Sequence, residues 1–407
     1  MSAEHFDVVI VGGGMVGASL ACALSNTTLR VAVIESTALL GAGHAPSRQP
    51  SFDARSTALS LSSARFLDGL GLWQAVRGHA QAIQRIHVSD RGHFGSTRMD
   101  AREEGLEALG FVVENQWLGS VLHGALARCP SLRVLAPASV ANIRVTPGGA
   151  RLDVREDGRE LEFDASLAVI ADGARSGLAA RLGIAMEQLP YGQHALITNI
   201  GHQKDHGGLA FERFSDQGPL AMLPLPPDAD RGARSALVWV LPPALATAAA
   251  ALDESSFLRR LQTRFGYRLG RLSRCGERHI YPLGRSSASE QARAGVVLLG
   301  NAAHSLHPVA GQGFNLSLRD VAALAELLRE ADARGENPGS LALLQRFVDA
   351  QRLDQELTGG FSDVLPRLFG SAFLPLAAAR GLGLIGLDLL PGARSLLVRQ
   401  ATGLGGS

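Results

Sequence analysis

The chain has 407 residues, of which 46% are hydrophobic and 19% charged, and its formal net charge is +1. At the usual domain size of about 150 residues this is enough for two domains and a further helical piece, and the composition excludes a disordered or fibrous protein. The near-zero charge, with no long basic run, excludes the electrostatic footprint of a dedicated nucleic-acid binder.

The N-terminus lacks the basic region of a signal peptide: Glu4 and Asp7 come first, and Arg30 is the first Lys or Arg. Asp7 to Val11 is a short apolar, β-branched run that leads into Gly12-Gly13-Gly14-Met15-Val16-Gly17 and then an Ala/Leu-rich helical pattern to Leu24. A second apolar run, Arg30 to Ile34, ends in Glu35. The unit reads strand, glycine turn, helix, strand, acid, which is the order and spacing of a dinucleotide-binding fingerprint. Gly12 allows the tight turn, Gly14 lets backbone approach a pyrophosphate, and Gly17 lets helix and strand pack closely. The helix N-terminus offers N–H groups and a positive dipole end, and Glu35 would accept hydrogen bonds from ribose hydroxyls.

Further along, Leu167 to Ala171 is a buried-strand pattern that runs into Asp172-Gly173, an acid at a strand's carboxyl end. Short strands follow at Ala195 to Ile200, Leu209 to Phe214, Leu220 to Pro224 and Ala236 to Leu241, and with Ile86 to Ser89 they predict an antiparallel sheet. Gly295 to Leu299 is another strand, followed by Gly300-Asn301-Ala302-Ala303-His304, by His307 to Asn315, and by a helical pattern through Glu330. Gly311 and Gly313 leave room for a planar ligand against backbone. After Asn337-Pro338-Gly339, apolar residues at helical spacing run from Leu341 to Leu357, and a Leu-rich segment reaches Val398. The match Gly381-Leu-Gly383-Leu-Ile-Gly386 is discarded, because no strand precedes it and no acid follows at the required distance. The apolar stretch from Phe373 to Leu390 is broken by Pro375, Arg380 and Asp388, so no membrane span is expected. Cys22, Cys129 and Cys275 are odd in number and far apart, which suits a reducing compartment and supplies no CxxC pair.

The N-terminal GxGxxG with Glu35, the Asp172-Gly173 segment and the Gly300 to Asn315 segment, in this order and over most of the chain, resemble the FAD-dependent aromatic hydroxylases. Phe52-Asp53-Ala54-Arg55, Val88 to His93, Phe211-Glu212-Arg213-Phe214, Gly218 to Pro224 and His307 to Gly313 are similar to the ubiquinone-biosynthesis branch of that family, and most similar to the enzymes that hydroxylate 2-polyprenyl-6-methoxyphenol. The resemblance implies an α/β fold in which a Rossmann-like FAD-binding domain (1–75, 100–186 and 282–335) is interleaved with an antiparallel-sheet substrate domain (76–99 and 187–281), followed by a C-terminal helical region (336–407). It implies FAD as cofactor, NADPH or NADH as electron donor and O₂ as co-substrate, with one oxygen atom going to an electron-rich phenol ring. Gly12, Gly14, Gly17 and Glu35 would hold the adenosine half of FAD, with Arg55 near the phosphates or ribityl chain and Asn115 and Val140 as further contacts. Asp172 would help hold the flavin and the nicotinamide donor. Gly300 and Asn301 would reach the ribityl hydroxyls, and Pro308, Gly311, Gly313 and Asn315 would line the ring. Many relatives have Asp at the position of Asn301, where the amide both donates and accepts.

His307 is the candidate acid or base, since an imidazole titrates near neutrality, although a His before Pro in a loop is more often a local hydrogen-bonding residue. No metal is expected: His304 and His307 are spaced i, i+3, but no Cys, Glu or Asp cluster completes a site. The expected partner is a polyprenylated phenol, with no nucleic acid, in the cytoplasm or at the inner face of the membrane. The closing helices are expected to pack on the FAD domain, with a greasy portal or a surface for a membrane or a biosynthetic partner as the alternative. Another ring hydroxylase of the same pathway, a flavin-dependent prenyl reductase and a flavin-free prenyl-binding module are the competing readings; the last gives no physical reason for Glu35, Asp172 and the Gly300 to Asn315 loop.

Overall fold

A computed structural model describes residues 3–39, 55–90, 96–174, 177–228, 232–305, 312–370, 398–399 and 402–403, with side chains in the last long helix described as far as Gly360. The N-terminal sheet places the strands Val296–Leu298, Arg159–Ile170, Glu4–Val11, Val31–Ile34 and Leu132–Leu135 side by side, all parallel. These strands read as unbroken apolar runs because both faces are buried. Val8, Ile10, Val31, Val33, Leu167 and Val169 point to one side, where they pack on the helices Met15–Leu24, Asn115–Ala127, Gln312–Arg334 and Leu341–Gly370. Val9, Val11, Ala32, Ile34, Ala168 and Ile170 point to the other, where Ala138–Thr146 and Gly149–Glu156, an antiparallel extension from Arg159–Ile170, cover them. Period-two alternation thus feeds two separate cores from the same strands.

The second sheet has nine strands, and its main path runs Ser96–Asp100, Arg85–Asp90, Leu209–Phe214, Leu220–Asp228, Gly232–Leu241, Met186–His202, His279–Ala288 and His304–Ser305. Neighbours are antiparallel as expected, apart from Leu209–Phe214, which pairs in parallel with Arg85–Asp90. Those two strands are joined through residues 91–208, a crossover well beyond the dozen or so residues that parallel pairing needs. The sheet also runs on beyond the expected segment, through Ala288 and the short strand His304–Ser305. One face, including Leu196, Phe211, Met222, Leu237 and Trp239, is covered by the helices Pro243–Ala250 and Glu254–Phe265. The second of these is capped at its start by Asp253, whose carboxylate accepts from Ser256 N–H. The opposite face, including Ala210, Leu225 and Ala236, packs on Ile83, Leu109 and Val112 of a three-stranded sheet (Ser56–Leu59, Gly110–Glu114, Ala80–Ile83).

The helical pattern expected after Asn315 through Glu330 and that over 341–357 lie within Gln312–Arg334 and Leu341–Gly370, the first of which starts three residues before Asn315; the discarded glycine match at 381–386 lies outside the described residues. Among the described residues no helix is long and apolar enough to cross a membrane. Phe347, fully buried in the core shared with the parallel sheet, fastens the last helix to it. Phe347→Ala is expected to cost about 3–5 kcal/mol, measured as a lower urea midpoint; an unchanged midpoint would place that helix outside the core.

Candidate functional site

Four consecutive strands of the parallel sheet end at the same edge, and in spatial order their ends carry Gly300, Asp172, Gly12 and Glu35. Parallel strands spend their backbone groups on the ladder, so the loops at their carboxyl ends are where a ligand meets this architecture. Gly12 sits at φ +102°, and a Cβ there would fall 2.6 Å from the Ala171 carbonyl oxygen. A Cβ on Gly17 would fall 1.9 Å from the Gly12 carbonyl oxygen, so helix and turn approach as closely as the fingerprint requires. Gly14 is the N-cap of Met15–Leu24; no side chain caps that end and no acid stands in its first turn. Its N–H groups therefore suit an external anion such as a pyrophosphate.

Glu35 is held in place from two sides. Its Oε2 accepts from Gly13 N–H at 2.7 Å, and its Oε1 accepts from Thr37 N–H and Oγ1 at 2.9 Å each and from Ser36 Oγ at 3.2 Å. The two hydroxyl donors can rotate to make way for a ribose hydroxyl. Ala138 N–H donates to the Glu35 carbonyl at 2.7 Å, and half-buried Val140 lies two residues further on, at the adenosine end of the edge.

Sequence reasoning missed His123. It is fully buried on Asn115–Ala127, and its Nε2 lies 2.8 Å from the Gly13 carbonyl oxygen. Burial holds its pKa below the ordinary imidazole value, against opposing effects of the Gly13 hydrogen bond and the Glu35 charge. A neutral ring with Nε2–H donating fits this position and pins the glycine turn from behind. A His in an otherwise ordinary helical pattern gives no spacing signal for such a role.

At the other end of the edge, Leu299 N–H donates to the Ile170 carbonyl at 2.9 Å, and the chain turns through Gly300 at φ +60° into a short 3-10 helix bearing the exposed Asn301. A Cβ on Gly300 would fall 2.9 Å from Val16 Cγ2, so this turn sits directly on the first turn of the dinucleotide helix. Asp172 is exposed beside Gly12, and Ala171 N–H is tied to the Val11 carbonyl at 2.8 Å. His304 Nε2 lies 2.8 Å from Oδ2 of the fully buried Asp320, whose Oδ1 accepts from Gln355 Nε2 at 3.1 Å. This chain ties the strand after Gly300 to both closing helices. The expected ring-lining Pro308 and Gly311 and the candidate His307 lie outside the described residues.

Gly313 stands in the first turn of Gln312–Arg334, where an added Cβ would meet nothing within 4 Å. Asn315, 2% exposed, turns its side chain into the protein: Oδ1 accepts from Ser60 N–H at 2.8 Å and Ser63 Oγ at 2.7 Å, and Nδ2 donates to the Ala58 carbonyl at 2.8 Å. A contact with a bound ring would fall to its backbone. Asn115 N–H donates to the Arg55 carbonyl at 2.8 Å, and Asn115 Oδ1 accepts from Thr57 Oγ1 at 2.6 Å. The Arg55 guanidinium lies 4.6 Å from the ring centroid of Tyr281 in the second sheet. Beside it, the Ser56 hydroxyl is buried with no hydrogen-bond partner among the described residues. Closed turns, an uncapped helix end and an orphaned hydroxyl fit a dinucleotide cofactor laid along this edge.

Two substitutions check this assignment. Gly17→Ala is expected to yield protein that purifies without FAD absorbance. Asn315→Ala removes three hydrogen bonds around Ser60 and is expected to lower stability by about 2–4 kcal/mol, measured by urea denaturation; retained FAD in the first or an unchanged midpoint in the second would contradict it.

Residues 5–344 match the family described as FAD binding domain. The chain is 38% identical to "Ubiquinone hydroxylase UbiL" of Rhodospirillum rubrum, covering 98% of this chain and 89% of that protein. It is 31% identical to "3-demethoxyubiquinol 3-hydroxylase" of Escherichia coli, covering 99% and 100%. The fold is also that of p-nitrophenol 4-monooxygenase PnpA from Pseudomonas putida, with a TM-score of 0.80 at 19% identity over 100% of this chain and 99% of that one. With the edge geometry and the match over most of its length, the chain belongs to the FAD-binding family of flavin-dependent monooxygenases.

Proposed function

We propose that this monooxygenase hydroxylates the aromatic ring of a 2-polyprenyl-6-methoxyphenol in ubiquinone biosynthesis. The observation that carries the reading is a largely apolar sheet face beside the cofactor edge: Val88, Ala221, Val238 and Ile197 lie in one row across the second sheet, interrupted by Glu212 between Val88 and Ala221, next to the strand that carries Tyr281 under Arg55. Such a face suits a phenol with a long hydrocarbon tail, and the relatives named as ubiquinone hydroxylases support the same substrate class. The overall reaction takes phenol, O₂, NADPH or NADH and a proton to the diol, the oxidised nicotinamide and water. When bound, FAD supplies the redox chemistry that connects the nicotinamide to O₂.

In this reading the chain's own residues bind and orient. The uncapped helix after Gly14 would hold the pyrophosphate, Glu35 the ribose, and Gly300 and Asn301 the ribityl chain. Asp172 would help hold the flavin and the nicotinamide donor, and the second sheet would keep the substrate ring out of water. A ring hydroxylation at another position of the same pathway is the second reading, favoured by the identity to 3-demethoxyubiquinol 3-hydroxylase.

The deciding experiment incubates FAD-loaded protein aerobically with NADPH and a short-chain 2-prenyl-6-methoxyphenol and analyses the products by mass spectrometry and NMR. A ring product that has gained one oxygen atom is expected. Gain of two hydrogens on the chain would indicate a prenyl reductase, and unchanged phenol with NADPH consumed would assign a different substrate. His307→Ala is expected to keep FAD and lose product formed per NADPH consumed; unchanged coupling would remove that residue from the chemistry.

A further inference from the structure

The geometry points to Glu212 as the residue that receives the phenol hydroxyl and takes its proton, an inference that rests on the phenol-hydroxylase reading. Glu212 lies on Leu209–Phe214, directly across from Val88 on one side and Ala221 on the other. The row continues in register through Val238 and Ile197 to His279, so a single carboxyl is set among apolar side chains. This row belongs to the sheet face turned toward the cofactor domain. On Met186–His202, Ile197 lies between Asn199, whose Nδ2 donates to Glu114 at 3.4 Å, and Ala195, which sits across from the Tyr281 that Arg55 covers. Arg55 is itself a cofactor candidate, and Glu114 is the immediate neighbour of another, Asn115.

Glu212 makes no hydrogen bond or ion pair with any described residue. Alternation along the strand sends Phe211 into the helix-covered core on the opposite face and Arg213 with it, so the adjacent cation cannot neutralise the acid. The side chain is deep in the protein yet keeps partial solvent access. An unpaired buried carboxylate is costly, and a ligand hydroxyl relieves that cost. The other charged or titratable groups on this face are Asp90, Arg234 with its partner Glu114, Arg274 with its partner Asp228, Arg285, His279 and Tyr281. Burial alone raises the Glu212 carboxyl, from 4.5 to about 7, toward the range that suits a general base near neutral pH. In the step assigned to it, the phenol O–H bond breaks, the proton moves to a Glu212 oxygen, and the electron pair stays on the phenol oxygen. That enriches the ring carbons ortho and para to it. The proton returns to that oxygen as the diol leaves.

The test compares wild type, Glu212→Gln and Glu212→Asp as FAD-loaded enzymes. Without a nicotinamide donor, wild type is expected to bind the short-chain 2-prenyl-6-methoxyphenol more tightly as pH rises through about 7, where the ionised carboxyl can accept the phenol O–H. Glu212→Gln should lack that pH dependence, and Glu212→Asp should retain part. With NADPH, Glu212→Gln should lose about a hundredfold or more in kcat together with the acid limb of the pH profile. Full hydroxylation and an unaltered pH profile in Glu212→Gln would overturn the inference and leave the proposed reaction standing. Loss of that pH-dependent binding in Glu212→Gln with no oxygenated product from wild type would overturn the reaction and leave the inference standing, and failure of wild type to bind the phenol would overturn both. Stability supplies a readout independent of turnover. Between pH 4.5 and about 7 the folded chain binds more protons at this site than the unfolded chain, so stability falls as pH rises through that window. Glu212→Gln should remove that component of the slope; its persistence would mean that the carboxyl is not held unpaired.

Discussion

A parallel sheet buried on both faces has nowhere to bind a ligand except at its strand ends, and that constraint organises the molecule. Both faces of Glu4–Val11 and its neighbours are taken up by core, and their backbone groups are taken up by the ladder. What remains is the carboxyl edge, where four adjacent strands deliver Gly300, Asp172, Gly12 and Glu35 in a row. Each turn at that edge is fixed by a close approach that a side chain would block, Gly12 on Ala171, Gly17 on Gly12 and Gly300 on Val16. A long, thin cofactor with a charged middle matches a row of this kind better than any compact ligand does.

The second sheet is brought over this edge by a few specific contacts. The bidentate pair of Glu114 with Arg234, at 2.8 and 3.2 Å, couples the start of Asn115–Ala127 to Gly232–Leu241. Arg55 on Tyr281 makes a second link, and the pairing of His304–Ser305 with Ser286 and Ser287 a third. These contacts involve segments far apart in sequence. The site is therefore a property of the assembled fold, and neither sheet forms it alone.

That distinction explains what the sequence could and could not disclose. The βαβ unit with its acid was legible, since strand, turn and helix are adjacent in the chain and each residue type answers a local steric demand. The strand leading to Asp172 and the one leading to Gly300 were legible for the same reason. His123 behind the glycine turn, and Asp320 and Gln355 behind His304, were not, because each acts across a contact that only folding creates. Asn315 shows the reverse case. Its place in the motif suggested a ring contact, whereas its side chain satisfies three groups around Ser60 and braces the start of Gln312–Arg334. The parallel pairing of Leu209–Phe214 with Arg85–Asp90 was equally hidden, because period-two alternation specifies faces and leaves strand order open.

The division between the sheets also separates binding from selectivity. The cofactor edge is made largely of backbone and of glycines that admit no substitute, so its geometry is shared by any chain that keeps the turns. The face of the second sheet is made of side chains, Val88, Ala221, Val238 and Ile197 around one acid, and side chains on a strand can change without disturbing the ladder. Differences in which ring is accepted therefore have room to arise on that face while the cradle stays as it is. This is the physical reason a likeness over the whole chain to ubiquinone hydroxylases fixes the chemistry of the edge more firmly than the identity of the phenol above it.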